Sequence, residues 1–104
     1  MAGLRTELQG ILEEALGSRN VYFQPPESLK MKYPAIVYEL VDIMTDKANN
    51  ANYLRNHRYT LTLIHTDPDN KLKDDLLDAF RTISFDRVYA KDGLYHYVYD
   101  LYYD

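Results

Sequence analysis

The residues most able to do chemistry in this sequence are three histidines, His57, His65 and His96. His57 and His65 are separated by the length of a strand, so one metal ion would reach both only if the chain folded back. His65 with Asp67, or His96 with Asp100, supplies two ligands at most, which is short of a stable site. The spacing favours ordinary sheet or turn histidines, and we predict no metal site.

Other chemical motifs fail in the same way. Residues 67–71 begin like a calcium loop, but the third ligand position is Lys71 and the required glycine is Leu72. No serine stands in a Gly-x-Ser-x-Gly elbow, and the four glycines form no phosphate-binding loop. We therefore predict no catalytic, metal or cofactor-binding residue, and no enzyme.

Length and composition limit the remaining classes of protein. The chain has 104 residues, enough for one domain spanning 1–104, and 46% of its residues are hydrophobic, which argues against disorder. It contains no cysteine, which fits a cytosolic origin. The formal net charge of −4 argues against a nucleic-acid-gripping role. No apolar run is long enough to span a bilayer, and the N-terminus lacks the pattern of a signal peptide.

The first half of the chain predicts a helix followed by strands. Apolar residues at helical spacing predict a helix over residues 4–16, with Gly17 at its C-terminal end. Residues 21–24 form a short strand candidate that stops at two prolines. Residues 35–43 are apolar except for Glu39 and Asp42, which predicts a central strand.

A polar stretch, residues 44–57, interrupts this pattern and is predicted to be a long loop at the tip of a hairpin. Residues 58–65 then alternate cleanly between apolar and polar and predict the antiparallel return strand. The asparagines of the loop supply hydrogen-bonding groups and Tyr53 supplies one aromatic anchor, a combination typical of adaptable contact loops. A disordered segment in solvent would explain the same residues.

A second helix is predicted after this strand, capped by Asp67 or by Asp69. Its buried stripe is expected to comprise five residues at helical spacing. These are Leu72, Leu76, Leu77, Phe80 and Ile83. Its charged residues are expected to face solvent.

The C-terminal stretch, residues 85–104, carries the strongest hairpin signal. Asp92-Gly93 lies between two runs rich in tyrosine, and glycine accepts the positive φ of a primed turn. Alternation puts one set of side chains on a single face of the second run, which we expect to lie inside the sheet. This set is Tyr95, Tyr97, Tyr99, Leu101 and Tyr103.

These elements predict an α+β fold with the order α-β-β-β-α-β-β. The sheet is expected to be antiparallel or mixed, with both helices packed on one face. Alternation also places Asp86 and Arg87 on opposite faces of their strand. Arg87 is expected to contact the end of the second helix or a neighbouring subunit.

The sequence resembles the small tail-completion or tail-terminator proteins of long-tailed bacteriophages and prophage-derived particles. The resemblance rests on the order and spacing of several short motifs from the proline pair to the C-terminus. They are Pro25-Pro26, Tyr33-Pro34-Ala35-Ile36-Val37-Tyr38, the asparagine-rich loop closing on Tyr53, Asp67-Pro68-Asp69, Phe85-Asp86-Arg87, Asp92-Gly93-Leu94-Tyr95-His96 and Asp100-Leu101-Tyr102-Tyr103.

The resemblance implies a non-catalytic virion protein of the tail or neck, assembled in the host cytoplasm. It implies a homo-oligomeric ring, expected to be a hexamer, at the head-proximal end of the tail tube. The ring would end tube polymerisation and join the tail to the head connector. An acidic ring suits DNA passing through the lumen without specific binding, because like charges repel. No membrane or cofactor is implied.

A ring subunit needs two different lateral surfaces that meet and close. We expect the subunit or tail-tube interface to use the loop, which would become ordered on assembly, together with Arg87 and part of the tyrosine-rich strand. The residues assigned to it are Asp46, Asn49, Asn50, Asn52, Tyr53, Arg55, Arg87, Tyr95, Tyr97 and Tyr99. For the three strand tyrosines, the core of a monomer is the favoured alternative, because most aromatic side chains of strands pack internally.

Two other functions remain open from the sequence. One is a small ribonuclease-like toxin that uses His57, His65 or His96 with Arg87, although its substrate would favour a basic protein. The other is an adaptor that recognises a single partner without forming a ring.

Overall fold

The fold is formed by two helices and five strands in a computed structural model that describes residues 5–47 and 53–103. The elements are α1 (Arg5–Leu16), β1 (Val21–Phe23), β2 (Ala35–Lys47), β3 (Tyr53–His65), α2 (Leu72–Ala79), β4 (Ile83–Lys91) and β5 (Leu94–Tyr103). The strands lie in the order β1-β2-β3-β5-β4. Because β1 runs parallel to β2 and the other pairs are antiparallel, the sheet is mixed. The predicted α+β class and element order are confirmed.

Both helices cover one face of the sheet, as predicted. Helix α1 ends at Gly17, whose φ of 80° and N–H bond to the Glu13 carbonyl at 2.9 Å match the predicted C-terminal glycine. Helix α1 buries three leucines, and α2 buries one, against alternate residues of the strands. The core comprises Leu8, Leu12, Leu16, Val21, Ile36, Tyr38, Tyr59, Leu61, Leu63, Leu76, Tyr97, Tyr99 and Leu101.

The C-terminal hairpin forms at the predicted turn. Asp92 has a φ of 55° and Gly93 a φ of 74°, so both central residues have the positive φ that a type I′ turn requires. Strand β5 lies between β3 and β4, which confirms that it is inside the sheet. The turn therefore fixes a strand that supplies much of the core.

The predicted loop over residues 44–57 is corrected by the structure. Strand β2 continues to Lys47 and β3 begins at Tyr53, and Lys47 is the register partner of Tyr53. Only residues 48–52 separate the strands, and they lie outside the described residues. The polar sequence was misleading because backbone pairing in a hairpin continues whether or not the side chains are buried.

The second helix is shorter than the leucine spacing predicted. It begins at Leu72, and the Asp67 carboxylate accepts the N–H of Asp69 in a local turn, so neither aspartate caps the helix. Asn70 instead accepts the Lys73 N–H through its side-chain oxygen at 2.9 Å. The helix ends at Ala79, so Phe80 and Ile83 lie beyond it, and Leu77 is exposed.

Candidate assembly surfaces

Tyrosines of the sheet fill the core and anchor the helices through their hydroxyls. Tyr38 donates to Gln9 Oε1 of α1 at 2.5 Å, and Tyr103 donates to the Glu7 carboxylate at 2.6 Å. Tyr99 donates to the Lys73 carbonyl of α2 at 2.7 Å. A tyrosine in such a position combines a large apolar area with a satisfied polar group.

Burial raises the pKa of these hydroxyls. It raises the pKa of Tyr99 well above its ordinary value, with smaller contributions from Asp74 and Tyr97. Burial is also the main cause that raises the pKa of Tyr103 to about 12, followed by its hydrogen bond to Glu7. A tyrosine hydroxyl of ordinary pKa is already protonated at neutral pH, so the raised pKa values keep these hydroxyls hydrogen-bond donors further into alkaline solution.

The predicted interface role of the strand tyrosines needs correction at two positions. Tyr99 is fully buried and Tyr97 is 6% exposed, and the Tyr97 hydroxyl donates to the Pro68 carbonyl at 3.2 Å. These two side chains belong to the core alternative, because an aromatic ring packed under helices offers no area to a partner. Tyr95 is half-buried beside the core.

Arg87 also lies in a different environment from the predicted one. A bulge between Phe85 and Arg87 breaks the alternation of β4, and the Arg87 guanidinium pairs with the neighbouring Asp86 carboxylate at 3.1 Å. Both side chains are largely exposed, so the pair contributes little stability. Arg87 makes no hydrogen bond to α2 within the described residues, which leaves contact with a neighbouring subunit as the remaining hypothesis.

The strongest departure from a simple layered fold is the end of the β2–β3 hairpin. Strand β5 pairs with β3 only as far as His57, whose partner is Tyr103. Beyond this point β2 and β3 pair with each other alone for four further residue pairs, from Met44 with Asn56 to Lys47 with Tyr53. We call this two-stranded extension, residues 44–47 and 53–56, the ribbon.

The ribbon contains part of the predicted interface. Asp46, Tyr53 and Arg55 occupy backbone positions in it, with Leu54, Lys47 and Thr45 as their respective register partners. Asn49, Asn50 and Asn52 lie outside the described residues. The structure thus brings the first three together in one extension, and it separates them from Tyr95 and Arg87, which lie on β5 and β4.

Exposed large apolar side chains collect at two opposite margins of the sheet, which the sequence analysis did not single out. Val41 and Ile43 of β2 are 42% and 49% exposed. At the other margin, Phe85 and Val88 of β4 are 47% and 51% exposed, and Leu77 of α2 lies next to them. The available signal was the apolar content of both runs; for residues 35–43 we had predicted a central strand.

Two clefts lie beside α2. One separates α2 from β4, measures about 340 Å³ and is mainly apolar, with Leu77, Phe85 and Val88 around its mouth. The other separates α2 from α1, measures about 500 Å³, and is lined by Glu14, Asp75 and Asp78 together with three small or aliphatic residues. The helical side of the molecule is consequently acidic around the second cleft.

The three histidines do not come together in the sheet. His57 and His65 lie eight residues apart on one strand, a separation of about 26 Å. His65 accepts the Asp67 N–H through Nδ1 at 3.0 Å. His96 stacks on Tyr89 with 4.7 Å between the ring centroids. His65 and His96 therefore have separate partners.

Comparison with known proteins adds no family to these observations. No family model matches the chain, and no curated protein matches it. No helix in the described part of the chain has the length and apolarity needed to cross a membrane.

Proposed function

We propose that this chain is a structural subunit of a tailed-bacteriophage particle, which assembles with copies of itself into a closed ring. The ring, expected to be a hexamer, sits at the head-proximal end of the tail tube, ends tube polymerisation and joins the tail to the head connector. The site of action is the virion, reached by assembly in the host cytoplasm.

The observation that carries this proposal is the ribbon. A two-stranded hairpin is marginally stable by itself in water, and the ribbon extends four residue pairs past the last strand that supports it. Ordering such an extension costs conformational entropy that contacts with another chain offset. In a subunit that contacts its neighbour, the ribbon can make such contacts. In a monomer, no second chain is present to offset the cost of ordering it.

The distribution of apolar surface supports the same proposal. A ring with head-to-tail contacts requires two different surfaces on each subunit. The margins at Val41 and Ile43 and at Phe85 and Val88 are two such surfaces, and they lie on different strands at opposite sides of the sheet. A single-partner adaptor needs only one of them.

Measurement of the mass in solution tests the ring. Light scattering over a concentration series is expected to give a species of about 73 kDa, six copies of the 12.2 kDa chain, and electron microscopy should show rings. A chain that remains a monomer, alone and with purified tail tubes, contradicts the proposal. A monomer that binds one tail protein supports the adaptor instead.

Genetic removal tests the place of action. Without this chain, assembly is expected to yield tails that lack heads and have tubes of uncontrolled length. Adding the chain back should restore complete particles. The ribonuclease alternative predicts instead that the purified chain cleaves RNA and that His96→Ala abolishes the cleavage. RNA that stays intact while tails fail to complete separates the two functions.

A further inference from the structure

The two sheet margins differ from the protected edge of the same sheet. At β1 the edge carbonyl of Val21 accepts a hydrogen bond from Gln9 Nε2 at 3.0 Å. Beside it, the Leu40 N–H of β2 donates to Gln24 Oε1 at 3.3 Å. Side chains therefore occupy backbone groups where β1 and β2 meet solvent, a common way of blocking further strand pairing.

Past Leu40 this protection stops on β2. Strand β1 pairs with β2 only over Ile36, Val37 and Tyr38, and no other described strand pairs with the outer edge of β2 from Val41 to Lys47. Val41 and Ile43 are large, apolar and about half exposed on this seven-residue edge. The edge presents backbone donors and acceptors next to apolar side chains.

Strand β4 provides the second open edge. It ends the sheet, and within residues 5–47 and 53–103 no strand pairs with its outer side along the nine residues Ile83–Lys91. The apolar cleft between β4 and α2 opens beside it, with Phe85 packed edge-on against the buried Tyr99 at 5.6 Å between centroids. An added strand would gain backbone hydrogen bonds and a place for its apolar side chains.

Charge supports a second copy of this chain as the occupant of this edge. Residues Val41–Lys47 carry two acidic side chains and one basic one, a formal charge of −1. Strand β4 carries one acidic side chain and two basic ones, a formal charge of +1. The β2 edge of one copy is therefore attracted to the β4 edge of another, whereas two β2 edges or two β4 edges repel each other.

We infer that residues Val41–Lys47 of one copy pair with the β4 edge of the next copy, and that Val41 and Ile43 enter the cleft formed by Leu77, Phe85 and Val88. The occupant of the cleft is thus a second copy of this chain. The contact is heterologous, since it joins different strands, and its repetition closes a ring with a continuous sheet. This inference rests on the proposed function and names the surfaces by which the subunits meet.

Disulfide trapping tests the register directly, because the chain contains no native cysteine. The Ile43→Cys variant mixed with the Val88→Cys variant is expected to give disulfide-linked dimers under mild oxidation, since bonding requires Cα atoms within about 7 Å. The matched control mixes Ile43→Cys with Leu29→Cys, a similarly exposed apolar position away from both edges. Equal trapping in both mixtures overturns the inference.

A second variant makes the result independent of cysteine chemistry. Val88→Asp places a charge at the mouth of the cleft and is expected to weaken assembly at least tenfold, while the unfolding midpoint of the monomer stays within the range of Leu29→Asp. Rings that form normally from Val88→Asp, without the Ile43–Val88 disulfide, overturn this inference and leave the proposed ring standing. A parent chain that never self-associates overturns both.

Discussion

The two hairpins of this protein differ in length and in how they end: β2 and β3 have 13 residues each, whereas β4 has nine and β5 has ten. The β4–β5 hairpin closes through Asp92 and Gly93, and β5 is held on both sides by β4 and β3. We call the part of the β2–β3 hairpin up to the Ile43–His57 pair its lower half, and there β3 is also paired with β5. The upper half is the ribbon, which has only its own two strands. One hairpin is part of the body, and the other extends out of it.

This difference separates stability from assembly. Leu61 and Leu63, in the lower half of β3, are fully buried under the helices, so removing their side chains must weaken the fold. The ribbon lies beyond the last residue pair between β3 and β5, and its described contacts are the backbone pairs between β2 and β3. We therefore expect changes in the two halves of a single strand to have different consequences.

The largest expected effect on stability is in the lower half of β3. Leu63→Ala should lower the free energy of unfolding by about 2–5 kcal/mol, because it leaves a cavity in a fully buried position. Denaturant unfolding measures the loss, and Leu29→Ala, at an exposed position, is expected to stay within about 0.5 kcal/mol of the parent. An unchanged midpoint for Leu63→Ala would show that this half of the strand carries no core.

A smaller effect is expected at the turn of the supported hairpin. Gly93→Ala should cost about 1–2 kcal/mol, because alanine is strained at a φ of 74° even though its methyl group meets no atom within 4 Å. Gly10→Ala is the matched control: the space around it is also open, but its helical conformation should make the change stabilising by about 0.5–1 kcal/mol. Equal effects at both glycines would contradict the assigned turn.

The sequence predicted the elements better than their limits. Hydrophobic periodicity and the Asp92-Gly93 pair were sufficient for the order of elements and for the C-terminal hairpin, because these signals are local. The ends of β2 and β3 were missed because polarity indicates burial and says little about backbone pairing in an extended ribbon. The limits of α2 were missed because Ile83 continues a helical spacing while it begins a strand.

The candidate surfaces were harder to predict for a related reason. Tyrosine is a common residue type at interfaces, yet Tyr97 and Tyr99 are covered by the helices. Helix α2 covers too little of β4 to bury Phe85 and Val88. Which strand a helix covers depends on tertiary packing, and alternation along one strand does not contain that information. The bulge at Asp86 was also not predictable from alternation, because it shifts the register of Arg87 and no glycine or other turn residue marks its position.

The smallest expected effect on stability, and the largest contrast with assembly, concerns the ribbon. Replacing residues 45–55 by Asn-Gly joins Met44 to Asn56, which are register partners already, through a two-residue turn. The unfolding midpoint is expected to change little, because none of the removed residues pairs with β1, β4 or β5. Assembly should fall at least tenfold, since three of the seven residues of the open β2 edge, Thr45–Lys47, are lost.

A tip variant distinguishes the strands of the ribbon from the asparagines at its end. Deleting Asn49–Asn52 and closing with Gly keeps the register of Lys47 and Tyr53 and leaves the β2 edge intact. If contact is made by the strand edge, this variant should assemble like the parent while the ribbon deletion does not. Loss of assembly in both variants would move the contact to the tip. Normal assembly of both would show that the ribbon is passive and that the copies meet through residues outside 45–55.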